Sequence, residues 1–165
     1  MRRTKVHRAQ KTKDPGDEPF LQILRPLVET YFAFLRKDDR HIRSLGLTSP
    51  QFDVIATLGD TPGMPCRELS EKTLVTKGTL TGVLDRLEAR GEIERIPSKE
   101  DRRSTIVRLT SKGKAQFDRV FPAHIYYMKP YFEQALTLGE MAHLRTLLLR
   151  LKASFGKEMT KGEQS

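Results

Sequence analysis

From Glu18 to about Asp38, apolar residues fall at Phe20, Leu24, Leu27, Tyr31 and Phe34, with a second row at Leu21, Val28, Phe32 and Leu35. Both rows have the three-to-four spacing of a helix. Two adjacent rows make a wider face than a surface helix needs, so this helix is expected to be covered on more than one side. Pro26 is expected to kink it or to mark a later start. Leu47-Thr48-Ser49-Pro50-Gln51 reads as the start of a second helix, with Thr48 as cap, Gln51 completing a capping box and Pro50 in the first turn. Phe52, Ile55, Ala56 and Leu58 supply its buried face, and it stops before Gly59-Asp60-Thr61-Pro62-Gly63.

After a short extended piece, Met64-Pro65-Cys66, the pattern predicts a short helix from Arg67 to Thr73 and a corner at Leu74-Val75. Thr76 is the expected N-cap of a helix from Lys77 to about Arg90. There Leu80, Val83, Leu84 and Leu87 form one apolar stripe at i, i+3, i+4 and i+7. Gly91 is expected to end that helix. Ile93–Pro97 and Thr105–Leu109 read as two strands around the charged tip Ser98-Lys99-Glu100-Asp101-Arg102-Arg103. Thr110 caps a long helix from Ser111 to about Leu136, with kinks expected at Pro122 and Pro130. Thr137-Leu138-Gly139-Glu140 is a capping box for a last helix to about Phe155, striped by Met141, Leu144, Leu148 and Leu151. The fold class is therefore mainly α with a small β wing: a winged helix-turn-helix flanked by N- and C-terminal helices that form a dimerisation domain. Residues 1–17 are expected to be a disordered basic arm, and 18–46 an N-terminal dimerisation helix and linker. Residues 47–110 are the winged unit, 111–158 the C-terminal dimerisation helices and 159–165 a tail.

Composition narrows the classes. Of 165 residues 37% are hydrophobic and 31% charged, the balance of a soluble globular chain. No apolar run is long enough to span a bilayer, and the basic N-terminus lacks the apolar core of a secretory signal, so a cytoplasmic location is expected. A single cysteine excludes an internal disulfide framework. The formal net charge is +9. Six of those charges come from Arg2, Arg3, Lys5, Arg8, Lys11 and Lys13, leaving +3 for the rest. Net charge alone therefore does not decide for nucleic acid.

Local placement does more. Opposite the apolar stripe of the Lys77–Arg90 helix lie Gly78, Thr81, Gly82, Asp85, Arg86 and Ala89, a face largely free of bulk. Each glycine costs a helix about 1 kcal/mol relative to Ala, and close approach to a ligand is a reason to carry two. A helix entering the major groove needs such a face. Thr81 suits phosphate or a base edge, Arg86 guanine or phosphate, and Thr76 and Lys77 the phosphate-binding end of a helix, with Thr79 beside them in the candidate reading helix. An ordinary amphipathic helix with incidental glycines is the alternative. Arg102 and Arg103 at the hairpin tip suit the minor groove, with Asp101 orienting one of them, against the plain reading of a solvated turn. The two features in series favour double-stranded DNA as partner.

The chain resembles the MarR-type winged helix-turn-helix regulators of bacteria and archaea. The resemblance rests on Leu47-Thr48 with Gln51-Phe52, Leu69-Ser70, Thr76-Lys77-Gly78-Thr79-Leu80-Thr81 and Leu84-Asp85-Arg86-Leu87-Glu88-Ala89-Arg90-Gly91. Asp101-Arg102-Arg103 and Leu109-Thr110-Ser111-Lys112-Gly113 continue it. It implies a homodimer built by the first and last two helices, each winged unit reading half of a near-palindromic operator, usually as a repressor. Thr76 to Arg86 match the family's recognition helix, and Asp101 and Arg103 its wing acid and arginine. The dimer is also expected from the wide apolar face of the first helix (Leu24, Leu27, Tyr31) and the seam of the last (Met141, Leu144, Leu148, Leu151), against intramolecular packing of the same stripes.

The resemblance further implies release of DNA by a small aromatic effector in some relatives and by a reactive cysteine in others. Cys66 lies beside the reading motif and not in the first helix, and reads as a half-buried small residue. His41, Arg43, Tyr31 and Tyr126 are candidate pocket residues that also fit surface or core, so the ligand pocket stays unassigned. No His, Cys, Asp and Glu set has metal-ligand spacing, no cofactor is implied, and no nucleophile–base pair or phosphate loop points to an enzyme. The competing function is a winged-helix module that binds protein or RNA.

Overall fold

The computed structural model describes residues 15–98 and 104–156. Most of the expected basic arm, the wing tip at 99–103 and the tail lie outside the described residues. The chain divides into two compact units, Met1–Arg40 and His41–Ser165.

The first unit contains a 3-10 turn at Pro15–Asp17 and most of α1 (Leu21–Ser44), which runs through Pro26. Of its apolar residues Phe20, Ile23, Leu24, Val28, Tyr31, Phe32 and Phe34 are exposed. α1 outlasts its expected end near Asp38 by six residues. The apolar rows stop at Leu35, but the following charged residues tolerate helix, and Ile42 anchors the last turn in the core. Apolar periodicity marks a helix's buried face, not its length.

In the second unit α2 (Ser49–Leu58) starts as expected, the Gln51 side-chain oxygen accepting from the Thr48 N–H at 3.0 Å. β1 (Met64–Pro65), α3 (Cys66–Lys72) and α4 (Lys77–Ala89) follow. The hairpin of β2 (Ile93–Pro97) and β3 (Thr105–Leu109) comes next, then α5 (Ser111–Glu133) and α6 (Leu138–Phe155). The sheet is antiparallel in the order β1-β3-β2, with Met64 opposite Val107 and Arg95 also opposite Val107. The sequence predicted the hairpin strands but read β1 only as an extended link. The core is one cluster that unites Ile42, α2 (Val54, Ile55, Leu58), α3 (Leu69), α4 (Leu80, Val83, Leu84, Leu87), the sheet (Ile93, Val107) and α5 (Phe117, Val120). Where α1, α2 and α5 meet, His124 is buried; its Nδ1 lies 3.0 Å from Nδ1 of His41, which stacks on Tyr127.

Two joints fix the hairpin. Gly91, at φ +68, takes the left-handed conformation that ends α4, and the Glu92 N–H returns to the Leu87 carbonyl at 2.9 Å. At the start of α5 the Thr110 hydroxyl accepts from the Gly113 N–H at 3.1 Å and donates to the Gly91 carbonyl at 2.7 Å. Gly113 packs so closely that a Cβ there would fall inside the Glu92 carbonyl group. α6 has its capping box, with the Glu140 carboxylate accepting from the Thr137 N–H at 2.8 Å.

Because the Gly113 contact is backbone on backbone, a methyl cannot be relieved by a rotamer change. Gly113→Ala is expected to destabilise by about 2–3 kcal/mol, read from the denaturation midpoint. A loss under about 0.5 kcal/mol would disprove the tight joint. The two bonds from Thr137, backbone first and hydroxyl second, hold the Glu140 carboxyl below its ordinary value. The cap's contribution is therefore complete above the ordinary carboxylate range and fades as pH falls through the lowered value. Carboxyl NMR should show that low midpoint, and Thr137→Ala should move it upward.

Candidate nucleic-acid interface

α4 owes its position to its inner face. Leu80, Val83, Leu84 and Leu87 are 0–3% exposed and pack in the core. The corner before it is held from α2, where the Asp53 carboxylate accepts from the Leu74 N–H at 2.6 Å. At the other end Lys112 donates to the Arg90 carbonyl at 2.6 Å. The helix is thus gripped at both ends and along one side.

Its outer face carries the residues singled out in the sequence. Thr76, Lys77, Gly78, Thr79, Thr81 and Arg86 are exposed, and Gly82 is half-buried. Neither glycine is demanded by packing. A Cβ at Gly78 would meet nothing within 4 Å. At Gly82 it would only touch the Arg86 guanidinium, at 3.8–3.9 Å, so Arg86 lies back along the helix over Gly82. Thr76 occupies the N-cap in extended backbone but differs from expectation in its bond. Its hydroxyl donates to the Thr79 hydroxyl at 3.0 Å and does not cap a backbone N–H. The neighbouring threonine competes for the same hydroxyl, which spacing alone did not show.

Charge is distributed unevenly around this face. Arg67 and Lys72 of α3 pair with Glu71 and Glu68, and Arg108 of β3 pairs with Glu94. Arg95 of β2 reaches Asp85 of α4. Among the described residues no carboxylate pairs with Lys77 or Arg86. These two cations are left available to an outside anion.

The wing stem is closed by the Ser98 N–H donating to the Ser104 carbonyl at 2.9 Å. Asp101, Arg102 and Arg103 lie outside the described residues. Arg95 was missed in the sequence because the strand Ile93-Glu94-Arg95-Ile96 mixes polar and apolar residues on both faces, which hides which face is inward. A cleft of about 280 Å³ opens between α3 and α4, lined by Cys66, Ser70, Lys77 and Thr81 among others. Cys66 is half-buried against the core, as expected.

Of the candidate pocket residues in the second unit, His41 is in the aromatic stack, while Arg43 and Tyr126 are exposed. Tyr31 belongs to the first unit and is exposed. Of the candidate dimerisation residues, Leu24, Tyr31, Leu144, Leu148 and Leu151 are exposed, and Leu27 and Met141 half-buried. No residue of α6 is buried.

Comparison with known proteins places these features in a family. Residues 47–105 match the model of the MarR family. The transcriptional regulator PecS of Dickeya dadantii is 31% identical over 142 residues, covering 82% of each chain. A variant of MarR from E. coli, solved in complex with operator DNA, superposes with a TM-score of 0.66 at 29% identity, covering 81% of this chain and 98% of that one. BpsR of Bordetella bronchiseptica, whose DNA binding is regulated by 6-hydroxynicotinic acid, superposes with a TM-score of 0.69 at 25% identity, covering 79% and 98%. The chain belongs to the MarR family of DNA-binding transcriptional regulators.

Proposed function

We propose that the protein is a homodimeric, cytoplasmic repressor that reads a pseudo-palindromic operator with α4 and its wing and releases it in response to a small aromatic effector. The observation that carries the reading role is the outer face of α4. It is small, largely exposed and polar, and its cations Lys77 and Arg86 have no carboxylate partner among the described residues, while Arg67, Lys72, Arg95 and Arg108 around it do. A protein-binding face would be expected to present aromatic anchors instead. Thr76, Lys77, Gly78, Thr79, Thr81, Gly82 and Arg86 are assigned to the major groove and its phosphates. Asp101, Arg102 and Arg103 are assigned to the wing contact.

The dimer reading rests on uncovered apolar surface. Leu144, Leu148 and Leu151 of α6 and Leu24 and Tyr31 of α1 are 37–56% exposed. Full burial of a leucine is worth about 1.5–3 kcal/mol, so several such residues left in water favour covering by a second copy. The two-fold relation would set two reading helices one DNA turn, or a multiple of it, apart. The aromatic effector is proposed by analogy with BpsR.

Arg86→Ala and Arg103→Ala should each weaken binding to DNA selected from a random library by about 1–3 kcal/mol, and wild-type affinity should fall steeply with salt. Wild-type affinity in both variants would remove the proposed reading surface. Light scattering at micromolar concentration should give twice the 18.9 kDa chain mass, and Leu148→Asp should shift it toward the monomer. A monomeric wild type would defeat the dimer.

A further inference from the structure

The hairpin that carries the wing is fastened to the reading helix by an ion-pair fork. Arg95 faces inward on β2. It stands opposite Val107, which is fully buried, and two residues beyond the core residue Ile93. Its guanidinium reaches across to α4, with Nη2 2.6 Å from Asp85 Oδ1 and Nη1 3.4 Å from Glu88 Oε2. Asp85 and Glu88 are three residues apart and so share one side of the helix, where a planar fork can bridge both. Beyond Arg95 no described residue of the hairpin is buried, from Ile96 to Ser98 or from Ser104 to Ile106. Arg108 and Glu94 form an ion pair within the hairpin. They are register partners on the opposite face, so they join strand to strand and do not orient the hairpin against α4.

Such a fork contributes little to folding, because Asp85 and Glu88 are largely exposed and water screens the pair. Its consequence is geometric. The stem from Arg95 to Ser98 is a lever of about 10 Å at roughly 3.3 Å per residue. A swing of about 20° moves the end of that lever by about 3.5 Å, against a minor groove about 6 Å wide. We infer that Arg95 is a positioning residue, whose fork onto Asp85 and Glu88 sets the wing's angle to the reading helix and so delivers the tip to DNA. This rests on the DNA-reading role proposed above.

The test uses the full chain and a DNA fragment selected by the wild type from a random library. Arg95→Ala is expected to weaken binding about tenfold while the thermal midpoint moves by less than about 3 °C. Combined with Arg103→Ala, its loss should be smaller than the product of the single losses, because a wing without its arginine has less to misplace. Asp85→Asn with Glu88→Gln leaves Arg95 in place and removes two negative charges beside DNA. General electrostatics would make that variant bind more tightly; the positioning role makes it bind more weakly. Three results would overturn the inference: wild-type affinity in Arg95→Ala, multiplicative losses with Arg103→Ala, or tighter binding by the double carboxylate variant. If Arg95→Ala does not fold, the carboxylate variant alone decides by its direction. A wild type that selects no DNA would overturn the DNA-reading role and this inference with it, before any variant is compared.

Discussion

Everything α4 presents outward depends on what it buries inward. Leu80, Val83, Leu84 and Leu87 are almost fully removed from water. At about 1.5–3 kcal/mol for each side chain, that face outweighs the roughly 1 kcal/mol that each of Gly78 and Gly82 takes from helix stability. The balance lets α4 carry a face with little bulk and poor helix formers and still hold one place. The grips at its ends, from Asp53 on the Leu74 N–H and from Lys112 on the Arg90 carbonyl, add direction to that stability.

α6 and most of α1 have the opposite character, whereas α5 buries Phe117, Val120, His124 and Met128. α6 buries nothing, and α1 has one buried residue, Ile42, near its C-terminal end. A helix with a leucine stripe and no buried side chain is stabilised only weakly by its own chain. Local capping by Thr137 and Glu140 fixes the start of α6. The winged unit therefore completes its core with Ile42 of α1 and Phe117 and Val120 of α5, while α6 adds nothing to it. Sequence patterning alone could not distinguish the two, since a stripe has the same spacing whether its partner is in the same chain or another.

The same limit explains what was legible and what was not. α4 and the hairpin could be placed closely because local signals agreed there: an apolar stripe, a glycine after the helix, and two β-branched runs around a charged tip. β1 was not legible as a strand. It is two residues long, one of them Pro65, and exists only because it meets Val107 and Ile106 more than forty residues later. The full length of α1 was hidden by a charged stretch with a single buried residue, Ile42. On the candidate site, the exposed face of α4 was readable from spacing, but Arg95 was not. A strand that places Ile93 and Arg95 on one face, with Glu94 and Ile96 on the other, has no clean period to reveal which side is inside.

Charge was the weakest guide in total and the strongest in detail. The net excess outside the N-terminal thirteen residues is small, and much of the positive charge around the winged unit is matched one to one by carboxylates: Arg67 by Glu71, Lys72 by Glu68, Arg90 by Glu92, Arg108 by Glu94. Lys114 is shared by Asp118 and Asp60, whose hydrogen bonds, that of Asp118 first, raise its pKa and hold its charge in place. Neutralised pairs contribute little field beyond a Debye length of about 10 Å. What an approaching polyanion senses is the remainder. On α4 that remainder is Lys77 at the positive end of the helix dipole and Arg86 nine residues on, which at 3.6 residues per turn puts the two at opposite edges of the face that carries the glycines. Under the DNA-reading role proposed above, the pairing around them would favour that face, because each neighbouring cation already committed to a carboxylate is one fewer competing place for a phosphate to rest.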